Sequence, residues 1–248
     1  MSESTRKRSK KRQENPFLNL FFNILLPVLI LNKFSDKNPT LILILALLFP
    51  VLYGLYDYFK DGHKNWVSVL GFFNILATGA LALTDVEGIW FAVKEGLFPL
   101  VIAILVIGSA YANRTAIEML FFQTGVVDEE LIRRAAADAG RVDELKTHLR
   151  KSTMLLASSF FISAVLNFII GSTIFVDIDP SLAAEQRQII LNKQISDMTW
   201  MGYVFIALPL MFFMAFIMWY LQKGITQITN LSLENIFPAM KKEDAPQS

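Results

Sequence analysis

The sequence predicts an all-α, polytopic membrane protein with six transmembrane helices. Of its 248 residues, 54% are hydrophobic and only 18% are charged, whereas a soluble domain is about half apolar and about one quarter charged. Six apolar runs approach the roughly 20 residues that a helix needs to cross the hydrocarbon core of a bilayer. Lysine and arginine also fall mostly on one side of these runs. Composition, run length and charge asymmetry therefore all predict a helical bundle embedded in lipid.

The composition also narrows the function classes. The chain has no cysteine, which excludes disulfides, thiolate metal ligands and a cysteine nucleophile. Its formal net charge is +1, so no global basic field indicates nucleic-acid binding. His63 and His148 have no metal-ligand spacing, and the chain carries no P-loop, Rossmann glycine pattern or nucleophile elbow. We expect no cofactor, no metal and no enzymatic activity.

The apolar runs set the predicted domain organisation. They cover residues 16–31, 40–59, 66–84, 89–112, 154–176 and 198–221. The corresponding regions are a basic cytoplasmic tail (1–15), transmembrane helices one to four (16–112), a cytoplasmic helical connection (113–152), helices five and six with an outer loop at 177–197 (153–222), and a cytoplasmic C-terminal tail (223–248). The polar string "LNKFSDKNP" after the first run offers no small-residue cleavage site, so we expect a retained helix rather than a signal peptide.

Charge orients the bundle. On one side lie 18 of the lysines and arginines, four lie on the other, and Lys94 falls inside a run. The positive-inside rule then places both termini in the cytoplasm. The tail "RKRSKKR" could also be interpreted as a nucleic-acid tail or a nuclear address, but the same rule already accounts for it.

The connection before the fifth run carries helix boundaries. In "VVDEELIRRAAADAG" we expect Asp128 to be an N-cap and Gly140 to end the helix. Asp143 is the expected cap of the next helix, which continues into the fifth run. The basic residues of this connection either contact anionic lipid headgroups or lie on a solvated helical hairpin.

Polar side chains recur at matching depth in three runs. Each midpoint asparagine has a polar companion four residues away, hence on the same helix face. The pairs are Asn19 with Asn23, Asn74 with Thr78, and Ser163 with Asn167. In hydrocarbon such groups need partners, so we expect these stripes to face the bundle interior.

Four prolines predict kinks inside the runs. They are Pro27, Pro50, Pro99 and Pro209. The strings "NILLPVLI" and "EGLFPLVI" align, and spans one and four run in opposite directions. A 3+3 inverted repeat would produce this arrangement; chance similarity between apolar strings is the alternative.

The fourth run also contains adjacent charges. Lys94 and Glu95 should point about 100° apart on a helix and should not pair directly. We expect Lys94 to extend toward the outer headgroups and Glu95 to face the interior near Pro99. Glu95 is then either a proton- or cation-responsive site or a structural carboxylate bonded to a neighbour. Asp57, near the cytoplasmic end of span two, is ambiguous in the same way and more typical of an interfacial cap.

Two strings carry a family resemblance. "KNWVSVLGFFNILATGALAL" and "WFAVKEGLFPL" resemble the bacterial intracellular septation protein A family. The matching positions are Trp66, Ser68, Gly79, Leu81, Leu83, Trp90, Lys94 and Pro99. Four residues separate Lys94 from Pro99 here, whereas the family has the lysine and proline side by side. The whole chain is more similar to an uncharacterised relative of that family, at residues 23–27, 53–57, 163–167 and 207–209.

The resemblance implies a multi-pass protein of the bacterial inner membrane with a role in envelope maintenance or septation and no catalytic residues. Its expected partners are the lipid bilayer and either a second copy or another envelope protein, with no nucleic acid. The alternative is a small-solute or ion transporter or channel with a polar midplane site, which the intramembrane asparagines and broken helices favour.

Overall fold

The computed structural model describes residues 20–61, 66–84, 86–122 and 127–237, with side chains described outside 56–61 and 66–72. This part of the chain is helical and contains no strand. Asn19 lies outside the described residues, as do the side chains of Asp57, Trp66 and Ser68, so the predictions made for them stay predictions.

Ten α-helices and two π-helical segments make up the described chain. The first π segment, Phe21–Leu25, leads into α1 (Leu26–Phe34), followed by α2 (Pro39–Asp61), α3 (Trp66–Ala82), α4 (Ile89–Ser109), α5 (Ala116–Phe122), α6 (Glu129–Asp138) and α7 (Val142–Ile174). Next come α8 (Ala184–Gly202), the second π segment (Tyr203–Ala207), α9 (Leu208–Thr229) and α10 (Leu233–Ile236).

Three helices are long and apolar enough to cross a membrane. They are Ile89–Ser109, Val142–Ile174 and Ala184–Thr229, the last being α8, the second π segment and α9 in one continuous helix. The other described apolar helices, Phe21–Phe34, Pro39–Leu55 and Phe73–Ala82, are shorter. The described residues therefore provide three candidate membrane spans rather than the six predicted full-length ones.

The chain divides into two compact units. The described part of the first comprises residues 20–61, 66–84 and 178–200. There α1 packs on α2, and α2 packs on α3. The second comprises the described residues from 86 to 177 and from 201 to 237. In that unit α7 packs against both α4 and α9.

Small residues bring α4 and α7 close together. A Cβ atom added at Gly96 would lie 3.0 Å from the Cβ of Phe168 and 3.1 Å from the carbonyl oxygen of Ala164. A Cβ added at Gly171 would lie 3.0 Å from the Cα of Ala92. Membrane helices associate through such small-residue contacts, because lipid provides little hydrophobic drive between them.

Two arginines from the start of α7 cap the ends of its neighbours. Arg150 Nε donates to the carbonyl of Ala110, at the C-terminus of α4, over 2.9 Å. Arg141 Nη1 donates to the carbonyl of Gln227, in the last turn of α9, over 3.0 Å. Cations favour helix C-termini because the carbonyls there lack intrahelical partners and carry the negative end of the dipole. Both neighbours are therefore antiparallel to α7.

The predicted boundaries of the connection are mostly confirmed. Asp128 is the N-cap of α6, and its side chain accepts a hydrogen bond from Leu131 N–H over 3.0 Å. Gly140 has a φ of +68° and ends that segment, as expected for a residue without a Cβ. The prediction for Asp143 was wrong, because Arg141 is the N-cap of α7 and Asp143 lies in its first turn.

The prolines divide into two kinds. Pro27 and Pro209 each follow a π segment, and in each case the residue before the proline donates its N–H to the carbonyl five residues earlier. Local π geometry is one way for a membrane helix to satisfy backbone groups near a proline. Pro50 and Pro99 lie inside the α-helices α2 and α4. The aligned strings around Pro27 and Pro99 therefore differ in backbone, and the local counterpart of Pro27 is Pro209.

Candidate functional site

Lys94 and Glu95 form an ion pair on α4. Lys94 Nζ lies 2.6 Å from Glu95 Oε1, and the two side chains are only 11% and 18% exposed. The prediction that adjacent residues cannot pair was wrong. Their Cβ atoms diverge, but the flexible four-carbon lysine stem can bend back toward the carboxylate. Low exposure favours the pair, because an uncompensated charge is costly away from water.

The pair belongs to the part of α4 that packs most closely on α7. Gly96 follows it directly and is buried against Phe168 and Ala164. One turn earlier, Phe91 is buried and stacks on Phe175, with ring centroids 4.8 Å apart. The Lys94 ammonium thus already contacts the Glu95 carboxylate, and an external cation would have to displace it.

The asparagine of the fifth run is satisfied within its own helix. Asn167 Nδ2 donates to the Ser163 carbonyl over 2.7 Å and to Ser163 Oγ over 3.1 Å. Ser159 Oγ donates to the carbonyl of Leu156, also within α7. Ser159 and Ser163 are buried and Asn167 is half-buried. These three hydrogen bonds lie within α7 and do not join it to another helix.

The remaining predicted polar residues belong to the first unit. Thr78 is buried, and its hydroxyl donates to the Asn74 carbonyl over 3.0 Å. Asn74 and Asn23 are half-buried, and Asn23 lies in the first π segment. Asn167 belongs to the second unit, so the three asparagines are described in two separate units.

Sequence reasoning missed a buried polar cluster in the first unit. Asn192 of α8 is fully buried, and its Nδ2 donates to Ser35 Oγ over 3.0 Å and to the Pro39 carbonyl over 2.8 Å. Gln188 Nε2 donates to Asn192 Oδ1 over 3.1 Å. A second bond of this kind joins Asn32 Nδ2 to Ser196 Oγ over 2.8 Å. These bonds tie α8 to the end of α1, the turn that follows it and the start of α2.

A signal for this cluster was present in the sequence. Gln188, Asn192 and Ser196 recur every four residues and so share one face of a helix. The segment was assigned to an outer loop because its composition is polar. In the structure, residues 177–183 are the non-helical part, and the helix begins at Ala184.

Glu118 anchors a second polar cluster, between α5 and α6. Its carboxylate accepts from Thr115 N–H over 2.7 Å and from Arg133 over 2.8 Å. Burial raises the pKa of Glu118, but the hydrogen bonds from Thr115 and Arg133 outweigh burial, so the pKa lies below its usual range. Arg133 also contacts Glu129 over 2.8 Å. This network stabilises the connection between the helices.

Comparisons with protein-family models, curated proteins and solved structures find no match to this chain. The described residues contain no group of three or more histidine, aspartate or glutamate side chains that could hold a metal ion. The fold itself defines the class, which is a helical, multi-pass membrane protein with three candidate spans.

Proposed function

We propose that this chain is a non-enzymatic protein of the bacterial inner membrane that acts in envelope maintenance or septation. The resemblance of its third and fourth runs to the intracellular septation protein A family supports this role. The observation that carries the proposal is the closed Lys94–Glu95 pair. The protein would work by contact, through a second copy or another envelope protein, rather than by moving a solute.

The internal hydrogen bonding of the polar residues supports a contact role. Asn167 bonds to Ser163, Thr78 bonds to Asn74, and Lys94 bonds to Glu95, each within one helix. A transport site needs polar groups that are available to a substrate, whereas these groups already have partners. Their main effect is then to make polar residues tolerable within the membrane.

The proposed topology has six membrane helices and both termini in the cytoplasm. Its support is the charge distribution of the second unit. Arg141 and Arg150 lie where α7 begins and where α4 and α9 end, together with the basic residues of the connection. At the other end of α7, the Asp177 side chain occupies the space that a Cβ atom at Gly88, just before α4, would need. The basic end is cytoplasmic by the positive-inside rule, and the shorter apolar helices of the first unit supply the other membrane segments.

Genetic complementation tests the contact role. A strain lacking the gene is complemented with wild-type protein or with the double variant Lys94→Met/Glu95→Gln, and cell length and septum spacing are measured by microscopy. We expect the double variant to rescue fully at wild-type protein levels, because it removes both charges together. Failure of a normally expressed double variant would show that the charges themselves are needed and would contradict the proposal.

Transport of a small solute or ion is the second candidate. The π segments before Pro27 and Pro209 favour it, because π-helical turns are frequent at functional sites. A 3+3 inverted repeat would belong to this candidate. Purified protein in proteoliposomes should then show a pH-dependent flux that Glu95→Gln abolishes when equal amounts of folded protein are compared. Absence of any flux in wild-type proteoliposomes would remove this candidate.

A further inference from the structure

An open cleft of about 430 Å³ lies between the first turns of α7 and the last turns of α9. The cleft is lined by polar and charged side chains, among them Asp143, Glu144, His148, Lys151 and Tyr220. His148 is buried and forms its floor: Nε2 donates to the carbonyl of Leu221 over 3.1 Å, and the ring centroid lies 4.9 Å from that of Tyr220.

The floor depends on one glycine. A Cβ atom added at Gly224 would overlap the His148 ring, so the imidazole occupies the space that a side chain at that position would need. The imidazole, Tyr220 and the backbone of α9 thus form a fixed surface against which a ligand could rest.

The cleft begins at the predicted membrane boundary. No charged residue occurs from 152 to 174 in α7 or from 201 to 222 in the final span. Charge resumes at Lys151 and Lys223, and Lys223 Nζ lies 4.9 Å above the Trp219 ring. Tryptophan, tyrosine and lysine are typical of the headgroup level. Lys151 and Tyr220 therefore mark the membrane end of the cleft, which on the proposed topology opens to the cytoplasm.

The charges along the cleft follow an order. Lys151 lies at the membrane end, and Glu144 lies seven residues earlier in α7, about 10 Å further from the membrane. Asp143 is beside it. Moving away from the lipid, a ligand meets a cation first and carboxylates second. A phospholipid headgroup that carries its phosphate near the glycerol and an amine at its tip presents the complementary order.

We propose that this cleft binds an aminophospholipid, with an ethanolamine-type headgroup, from the cytoplasmic leaflet. Lys151 contacts the phosphate, because an ammonium is an effective phosphate ligand. Glu144 and Asp143 accept hydrogen bonds from the primary ammonium, which donates three. A quaternary choline group has no N–H to donate, and a glycerol headgroup has no positive charge. The site therefore distinguishes these three headgroups.

The carboxylates remain accessible to such a ligand. Glu144 lies 3.7 Å from Arg141, and Asp143 lies 3.5 Å from Lys146. Both pairs are solvent-exposed, and pairs of this kind contribute little. Within the described residues, Lys151 has no carboxylate within 4.0 Å, so its ammonium faces the cleft without a competing ion pair.

Native mass spectrometry of the full chain in detergent tests the site. The protein is incubated with phosphatidylethanolamine, phosphatidylcholine or phosphatidylglycerol of identical acyl chains, and the bound fractions are compared. We expect wild type to retain the ethanolamine lipid about threefold to fivefold better than the choline lipid, a range typical of exposed charge pairs. Glu144→Gln should reduce this preference. Lys151→Met should weaken both lipids similarly.

Matched controls are available at the same end of the protein. Asp138→Asn removes an exposed carboxylate outside the cleft lining, and Lys223→Met removes a cation at the same depth as Lys151. Neither control should change the ethanolamine preference. Equal retention of ethanolamine and choline lipids by wild type, or a preference that persists in Glu144→Gln, would overturn the proposal.

The lipid-site proposal rests on the proposed function of this chain as a membrane protein, but different experiments would contradict the two. If alkaline carbonate washing extracts the chain from membranes, the proposed function itself is wrong. If the chain resists extraction and complements a deletion but shows no ethanolamine preference, only the lipid site is wrong. Because the varied side chains are exposed, an unchanged melting temperature confirms that each variant folds.

Discussion

Breaking the Lys94–Glu95 pair from one side should destabilise the protein more than removing both charges. In Lys94→Met, the Glu95 carboxylate loses a partner 2.6 Å away while remaining only 18% exposed. In Glu95→Gln, the Lys94 ammonium is left in the same position with a neutral neighbour. In the double variant neither charge remains, and replacing a buried pair by neutral groups is often close to neutral.

The expected magnitudes follow from the exposure of the pair. Removing one partner of a fully buried pair costs about 3 to 5 kcal/mol. Because 11% and 18% of the side-chain surfaces remain accessible, we expect the lower end, about 3 kcal/mol for Lys94→Met. With a similar loss for Glu95→Gln and a loss of only about 1 kcal/mol for the double variant, the coupling energy of the cycle should be about 5 kcal/mol in magnitude.

The assay is reversible unfolding of purified protein in mixed micelles, with all four members of the cycle measured under one condition. As a control expected to have no effect, Met211, which is 62% exposed on α9, is changed to Leu. Additive losses, with a coupling energy below about 0.5 kcal/mol, would refute the argument that the two charges compensate each other.

Three further predictions concern other parts of the chain. Glu118→Gln should lower the free energy of unfolding by about 1 kcal/mol at neutral pH by weakening charge-assisted hydrogen bonds. Because the folded pKa of Glu118 is lowered, the stability that its carboxylate contributes is present above pH 4.5 and is lost as the pH falls through the folded pKa. Denaturation at several pH values measures this loss. A cysteine at Ala137 should react with an impermeant thiol reagent only after permeabilisation, whereas one at Gln186 should react in intact cells. Asn192→Leu should lower the free energy of unfolding by about 2 kcal/mol, because it leaves buried hydrogen-bond partners unsatisfied. Asn167→Leu should lower it by only about 0.6 kcal/mol, because its hydrogen bonds stay within one helix.

Each of these has a contrary outcome. A Glu118→Gln deficit that persists unchanged at acidic pH would show that the carboxylate charge is not its source. Labelling of Ala137→Cys in intact cells would overturn the proposed orientation. Equal losses for Asn192→Leu and Asn167→Leu would mean that the buried cluster of the first unit contributes no more than a local helix bond.

Local signals were the predictable part of the fold. Asp128 and Gly140 mark helix boundaries through their own chemistry, one by a side-chain acceptor and the other by a positive φ. Long apolar runs likewise predicted the helix at Ile89–Ser109 and the membrane part of the helix at Val142–Ile174. These features depend on residues that are close in sequence, so no knowledge of packing was needed.

Features that depend on side-chain conformation or distant contacts were not predictable. The Lys94–Glu95 pair depends on how a flexible stem bends in a crowded environment. The bond from Asn192 to Ser35 joins residues 157 positions apart, and nothing in either local string indicates the other. Hydropathy also assigned the polar residues of α8 to a loop, although tertiary contacts hold them in a helix.

The two π segments change the register of the helices that contain them. Each π turn accommodates about one more residue than an α turn, so side chains before the segment are rotated by about 100° relative to an unbroken α-helix. In evolutionary terms each resembles a single-residue insertion retained in place, next to Pro27 and next to Pro209. Aligning either helix with a purely α-helical relative would thus require a one-residue gap, and an ungapped comparison would match lipid-facing positions with buried ones.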